Sequence, residues 1–184
     1  MKKRDVVLGL DVSTHLGYCV FSEGVVEKGT FHIPPERKGM KNSDPDRFKR
    51  WDIYGMFTST LIDKHQPSAV YIEGYAFGKP FGMVRLVELG TLVRLSIAKA
   101  ELPWYEVSPM TIKSFVTGSG KSKKNMMLME VFRRWDIQCA DDNEADAVSL
   151  AIFGAVHRSS VHAPVMTAAQ IKAVARFDKL NKGA

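Results

Sequence analysis

Three carboxylates interrupt runs that are otherwise apolar: Asp11 follows VVLGL, Glu73 follows AVYI, and Asp146 stands in the helical stretch EADAVSLAIFGA. Singly, each has an ordinary explanation, because acids are common at strand ends and in a first helical turn. Together they point to chemistry. A carboxylate in a low-dielectric interior is costly unless it reaches solvent or holds a cation, and three that meet repel one another until a divalent ion neutralises them. Oxygen-only ligands favour Mg²⁺ or Mn²⁺ over zinc. Two such ions about 3.5–4 Å apart would activate water and stabilise the leaving oxygen of a phosphodiester, with Asp11 bridging them. For a fourth ligand, Asn143 and Asp142 precede Asp146 by three and four positions and share its helix face. Either could ligate, and Asp142 could instead be only the helix cap. Glu144 and Asp141 are read as solvated.

Such a meeting needs particular elements. Residues 5–12, 16–22 and 25–32 read as short strands joined by tight connections, hence an antiparallel meander. Residues 33–45 are rich in Pro, Gly and polar side chains and form a loop. A helix capped by Asp46 follows, with Trp51, Tyr54, Leu61 and Ile62 at helical spacing until KHQP stops it. SAVYIEGY is a buried strand ending at Glu73, and AFGKPFG a glycine-containing loop. The 82–101 helix is apolar nearly all round, which predicts burial on more than one side. WYEV is a strand, SPMTIKSFVTG a short helix, 121–135 a basic helix, and Asp142 caps a last core helix. The order βββ-α-β-α-β-α-α predicts an α/β fold, a mixed five-stranded sheet flanked by helices with ribonuclease H-like topology. Its first strand is central and its fourth pairs beside it, so Asp11 and Glu73 become neighbours.

The 184 residues suit one domain over 1–160 followed by a basic tail, 161–184. Cys19 and Cys139 form no CxxC and lie among apolar residues, which suits inert thiols in a reducing compartment, the cytoplasm by default. The basic start MKKRDVVLGLDV has too few apolar residues for a signal or a span, so no membrane partner is expected. A net charge of +6 around a few sequestered acids suggests a polyanion.

A basic segment supplies candidate phosphate contacts: Lys113, Lys121, Lys123 and Lys124 occur without an intervening acid, beside Gly118 and Gly120, whose missing side chains let backbone approach a phosphate. Lys124 could offset charge in the transition state. GSGKS at 118–122 is not a nucleotide-binding loop, because Phe115 stands where that motif needs glycine and a helix precedes it; no nucleotide cofactor is expected. Tyr75, Phe77 and Phe81 sit among glycines in the loop after Glu73, where an aromatic, Tyr75 or Phe77, could stack on unpaired bases. The tail reads as a short amphipathic helix that could dock on the body or touch DNA.

Four blocks, in order, resemble the RuvC-type Holliday-junction resolvases: LGLDVSTHLGYCV, VYIEGYAFG, VSPMTIKSFVTGSGKSKKNMM and EADAVSLAIFGA, spanning residues 6 to 157. The resemblance implies metal ligation by Asp11, Glu73 and Asp146, lysines Lys113 and Lys124 near the scissile phosphate and junction backbone, and an aromatic wedge in the loop after Glu73. It implies a metal-dependent endonuclease acting on four-way or other branched DNA in recombination and repair. Paired nicks need two active sites, hence a homodimer, with the 82–101 helix a candidate interface. Asn143 departs from the family, which often has a second aspartate there; an amide oxygen can ligate but brings no charge. The short chain and variant motifs resemble phage versions. Rival readings are another ribonuclease H-like nuclease, cutting RNA in hybrids or processing viral DNA, and a non-catalytic junction-binding module. A third is an actin-like or sugar-kinase-type ATPase, which needs two such domains.

Overall fold

The computed structural model describes residues 5–34, 44–75, 83–122 and 124–181, with backbone only at 44, 45, 124 and 125. Strands β1 (Val7–Asp11), β2 (His15–Phe21) and β3 (Val25–His32) precede helix α1 (Asp44–His65) and strand β4 (Ala69–Glu73). Helix α2 (Met83–Lys99), strand β5 (Trp104–Val107), and helices α3 (Pro109–Thr117), α4 (Lys124–Trp135), α5 (Asp142–His157) and α6 (Ala168–Asn181) complete it. The five strands form one sheet in the order β3-β2-β1-β4-β5. β1 is antiparallel to β2 and parallel to β4, and β4 is parallel to β5, as the element order predicts.

A central strand buried on both faces needs no polar alternation, and β1 is buried along its whole length. Alternate residues nevertheless feed two separate cores. Leu8 and Leu10 of β1, with Val70 and Ile72 of β4, join Tyr54, Leu61, Leu89 and Ile97 of α1 and α2 on one face. Val7, Ala69 and Tyr71 join Val148, Ala151 and Phe153 of α5 on the other, together with residues of α3, α4 and α6.

Helix α5 lies on β1 and β2 at backbone distance. A Cβ on Gly9 would collide with the carbonyl oxygen of Ala147 and come within 2.6 Å of the Ala151 nitrogen; one on Gly17 would collide with the Asn143 carbonyl. Glycine in a strand interior often marks such an approach. Helix α3 is punctuated as its sequence predicts: Ser108 accepts the Thr111 N–H, Pro109 occupies the first turn, and Gly118 closes the helix at φ 82°.

Several boundaries differ from expectation. α1 begins at Asp44, not Asp46, because Pro45 in a first turn lacks only an N–H that has no helical partner there. α4 begins at Lys124, after the loop through Lys121. α2 buries only Leu89, Gly90, Val93 and Ile97, while Val84 and Leu95 are 69% and 45% exposed. The sheet and α1 cover one side of α2, and its other apolar side faces outward. Helix α6 docks on α3 and α5, burying Gln170, Ala173, Val174 and Phe177.

Because the neighbours of Gly9 are backbone atoms, they cannot rotate away. Gly9→Ala is expected to destabilise the fold by about 2–3 kcal/mol, read as a fall in melting temperature of roughly 5–10 °C; an unchanged melt would contradict the backbone contact.

Candidate active site

The ends of two parallel strands define the site. Leu10 pairs with Ile72 in the β1–β4 register, so the next residues, Asp11 and Glu73, end their strands side by side. Period-two alternation puts both on the face of Val7, Ala69 and Tyr71, the face covered by α5. Asp11 is only 6% exposed, and Glu73 is half-buried. Across the other edge Asp11 pairs with Gly17, over which the first turn of α5 passes at Asn143. That turn carries Asp142, Asn143 and Asp146, all half-buried.

The entry of α5 is held by contacts that local sequence does not disclose. Asp141, not Asp142, caps it: its carboxylate accepts the Glu144 N–H at 2.8 Å and the Thr30 hydroxyl at 2.9 Å. Asp142 is thereby released from the capping role. Glu144, expected to be solvated, is 4% exposed and paired with Lys28 of β3, whose ammonium also donates to the Gln138 carbonyl at 2.7 Å. Burial by itself would lower the Lys28 pKa, but the Glu144 hydrogen bond and charge outweigh it and hold the pKa above the ordinary lysine value. The expectation failed for Asp141 and Glu144 because their partners are more than a hundred residues away in the chain. The Ser13 hydroxyl, in the turn after β1, accepts the His15 N–H at 3.0 Å and lies 3.4 Å from Asn143 Oδ1. Ser13 was not foreseen either.

The donor set of Asp11, Glu73, Asp146 and Asn143 or Asp142 is all oxygen, which suits a hard divalent cation. Among the described residues, no three His, Cys, Asp or Glu side chains stand as a group able to hold a metal ion. What the backbone does set is a shared sheet edge and face for Asp11 and Glu73, with the first turn of α5 passing beside them. Asp11, Glu73, Asp142 and Asp146 each take part in a polar or electrostatic interaction.

The basic residues are distributed around α3 and the loop that follows. Lys113 is half-buried on α3 and Lys121 exposed in the loop. Lys124 opens α4, where only its backbone is described, and Lys123 lies outside the described residues, as do Phe77 and Phe81. Tyr75 is turned onto α2: the Arg94 guanidinium lies 4.3 Å from its ring centroid and donates to its hydroxyl at 3.0 Å. Burial pushes the Cys19 thiol up and the Cys139 thiol to about 11, so neither is a ready nucleophile.

A family model described as "Crossover junction endodeoxyribonuclease RuvC" matches residues 7–154, from the start of β1 almost to the end of α5. The chain belongs to the RuvC family. A RuvC of Prochlorococcus marinus is 32% identical over 150 residues, 80% of this chain and 93% of that one. The RuvC structure of Thermus thermophilus superposes with a TM-score of 0.67 at 20% identity, covering 87% of this chain and 99% of that one. Thermus thermophilus RuvC in complex with a Holliday junction substrate gives 0.66 at 18% identity, covering 86% and 98%. The fold is accordingly that of the RuvC nucleases, and the β1, β4 and α5 blocks that carry the carboxylates all begin inside the matched span.

The Lys28–Glu144 pair can be tested through stability alone. Lys28→Met leaves a buried carboxylate alone and is expected to cost about 3 kcal/mol, while Lys28→Met with Glu144→Leu recovers most of it; equal melting of the two variants would show that the pair is not coupled. Because the Lys28 pKa is raised on folding, its contribution is complete below the ordinary lysine value near pH 10.4 and is lost as pH rises through the folded value.

Proposed function

We propose that this chain is a junction-resolving endodeoxyribonuclease that hydrolyses phosphodiesters at the branch point of four-way DNA in a divalent-metal-dependent reaction. The observation that carries the reading is the juxtaposition of Asp11 and Glu73 at adjacent parallel strand ends beneath the first turn of α5, in a chain whose family model is that of crossover junction endodeoxyribonucleases. Branched DNA as partner is supported by the Thermus thermophilus relative solved with a Holliday junction substrate. A net charge of +6 fits a polyanionic substrate.

In this reading Asp11, Glu73 and Asp146 hold Mg²⁺, or Mn²⁺ in its place, with Asn143 or Asp142 as a further oxygen donor, two ions to a site. When bound, the metal supplies an activated water and charge stabilisation at the leaving oxygen. The protein's own part is positional. Two rigid strand ends and one helix turn orient the carboxylates, Ser13 restrains the Asn143 amide, and burial of Asp11 limits solvent at that edge. Lys113, Lys121, Lys123 and Lys124 bind backbone phosphates, Lys124 next to the reacting one. Tyr75 is engaged with Arg94, which leaves Phe77 as the loop aromatic to stack on a base. The working compartment is the cytoplasm; among the described residues no helix is long and apolar enough to cross a membrane.

Asp11→Asn and Asp146→Asn are each expected to lower cleavage of a labelled four-way junction in Mg²⁺ by at least about a hundredfold, with junction binding in EDTA retained. Cleavage at the unchanged rate would remove the assignment. Uncut junctions with wild-type protein in both Mg²⁺ and Mn²⁺ would favour a non-catalytic junction-binding module. Preferential cutting of RNA–DNA hybrids over junctions would favour the other nuclease reading.

Paired nicks call for two copies, and α2 offers a face for the second. Val84, Val87 and Leu92, with Phe48 of α1, line an apolar groove of about 390 Å³. Val84→Glu with Leu95→Glu alters exposed positions only, so the fold should persist while the molar mass by light scattering falls from dimer to monomer. A wild-type monomer at micromolar concentration would contradict this interface.

A further inference from the structure

Helix α6 lies wholly beyond residues 7–154 matched by the family model, yet it is tied firmly into the body. Phe177 packs edge-on against Phe153 and His157, with centroids 5.2 and 5.3 Å apart. His157, the last residue of α5, links two elements: its Nδ1 lies 2.5 Å from the hydroxyl of buried Tyr71 on β4, and its Nε2 lies 2.7 Å from Asp178 of α6. Asp178 is the only acid on the helix, and it is engaged by His157. Lys172, Arg176 and Lys179 are left exposed, and their spacing of four and three residues aligns them along one side of the helix. Among the described residues no carboxylate pairs with any of the three.

This row runs into the phosphate-binding segment. Arg176 of α6 and Lys121 of the α3–α4 loop line one cavity of about 420 Å³, with Ser108 and Thr111 among its hydroxyl residues and Met110 and Leu180 on its apolar side. From Lys172 to Lys179 the helix rises about 10 Å, and one strand of a duplex carries a phosphate about every 3.4 Å of axis. The row therefore spans about three successive phosphates.

We infer that α6 is a second DNA-contacting element, whose Lys172–Arg176–Lys179 row grips the backbone of a junction arm, with a phosphate seated between Arg176 and Lys121. The contact falls away from the chemistry. Asp146 and the His157 anchor are separated by eleven residues of α5, roughly 16 Å, or about five base pairs at 3.4 Å each. The row adds arm affinity and register and leaves the cutting itself to the carboxylates. This inference rests on the DNA reading above.

The test is a salt titration of junction binding by the full chain, measured by anisotropy in EDTA from about 50 to 200 mM KCl, the range over which phosphate contacts reveal themselves. Wild type is compared with Lys172→Gln/Arg176→Gln/Lys179→Gln and with the charge-keeping Lys172→Arg/Arg176→Lys/Lys179→Arg. All three positions are exposed, and equal melting temperatures verify the fold. The neutralised variant is expected to bind at least tenfold more weakly at low salt, with the slope of log K against log salt shallower by about 2–3, while the charge-keeping variant follows wild type. A neutralised variant with the wild-type slope overturns the inference and leaves the nuclease reading standing, the row then serving some other acidic partner. Wild-type protein that fails to bind junctions overturns both.

Discussion

The placement of α5 directly on the backbone of β1 and β2 is the constraint on which the rest depends. Helix and strand can approach this closely only where a side chain is missing, and Gly9 and Gly17 supply the gaps. Alanines complete the fit from the helix side, where Ala147 and Ala151 are fully buried. The first turn of α5 consequently passes over the strand residue that pairs with Asp11. A helix held off by side chains at Gly9 and Gly17 would carry Asn143 and Asp146 away from the strand ends.

Close approach alone does not fix the helix along its axis. That role falls to the contacts at its entry, where Asp141 takes the Thr30 hydroxyl and Glu144 takes the Lys28 ammonium, both from β3. β3 is the edge strand beside β2, so the antiparallel meander also anchors the entry of a helix through contacts 111 and 116 residues apart in the chain. The far end of α5 is secured by different means, through the Tyr71–His157–Asp178 contacts and the aromatic packing of Phe153 and Phe177. Both ends of the helix that carries the proposed ligand Asp146 are thus tied to other elements by polar groups that are largely withdrawn from water, where such contacts count for more than on the surface.

Charge is sorted in the same way. The protein is basic overall, but Asp11, Glu144 and Glu130 are buried, and Asp178 is turned against His157. Acids are withdrawn or paired in this way, while Lys121, Lys172, Arg176 and Lys179 stay at the surface. Such a distribution suits the proposed polyanionic substrate on the body and the proposed cation at the carboxylate edge. The outward apolar side of α2 is a separate feature, with Val84 and Leu95 left exposed.

The sequence by itself determined the element order, the five-stranded mixed sheet and the adjacency of Asp11 and Glu73. The elements follow from local signals, hydrophobic period and turn residues; the pairing of β4 beside β1 follows from the ribonuclease H-like order of those elements. Gly9 and Gly17 stand inside strands, but their role as the gaps under α5 came from the tertiary structure. Only the tertiary structure decided that Asp141 caps α5 in place of Asp142, that Glu144 is buried against Lys28, and that Tyr75 lies under Arg94. It alone showed that α2 leaves Val84 and Leu95 in the open and that α6 docks through Phe177. The reason is physical: a residue's periodicity and neighbours set its backbone, but the partner that neutralises a charge or covers an apolar face comes from any distance along the chain, and nothing in the local pattern names it.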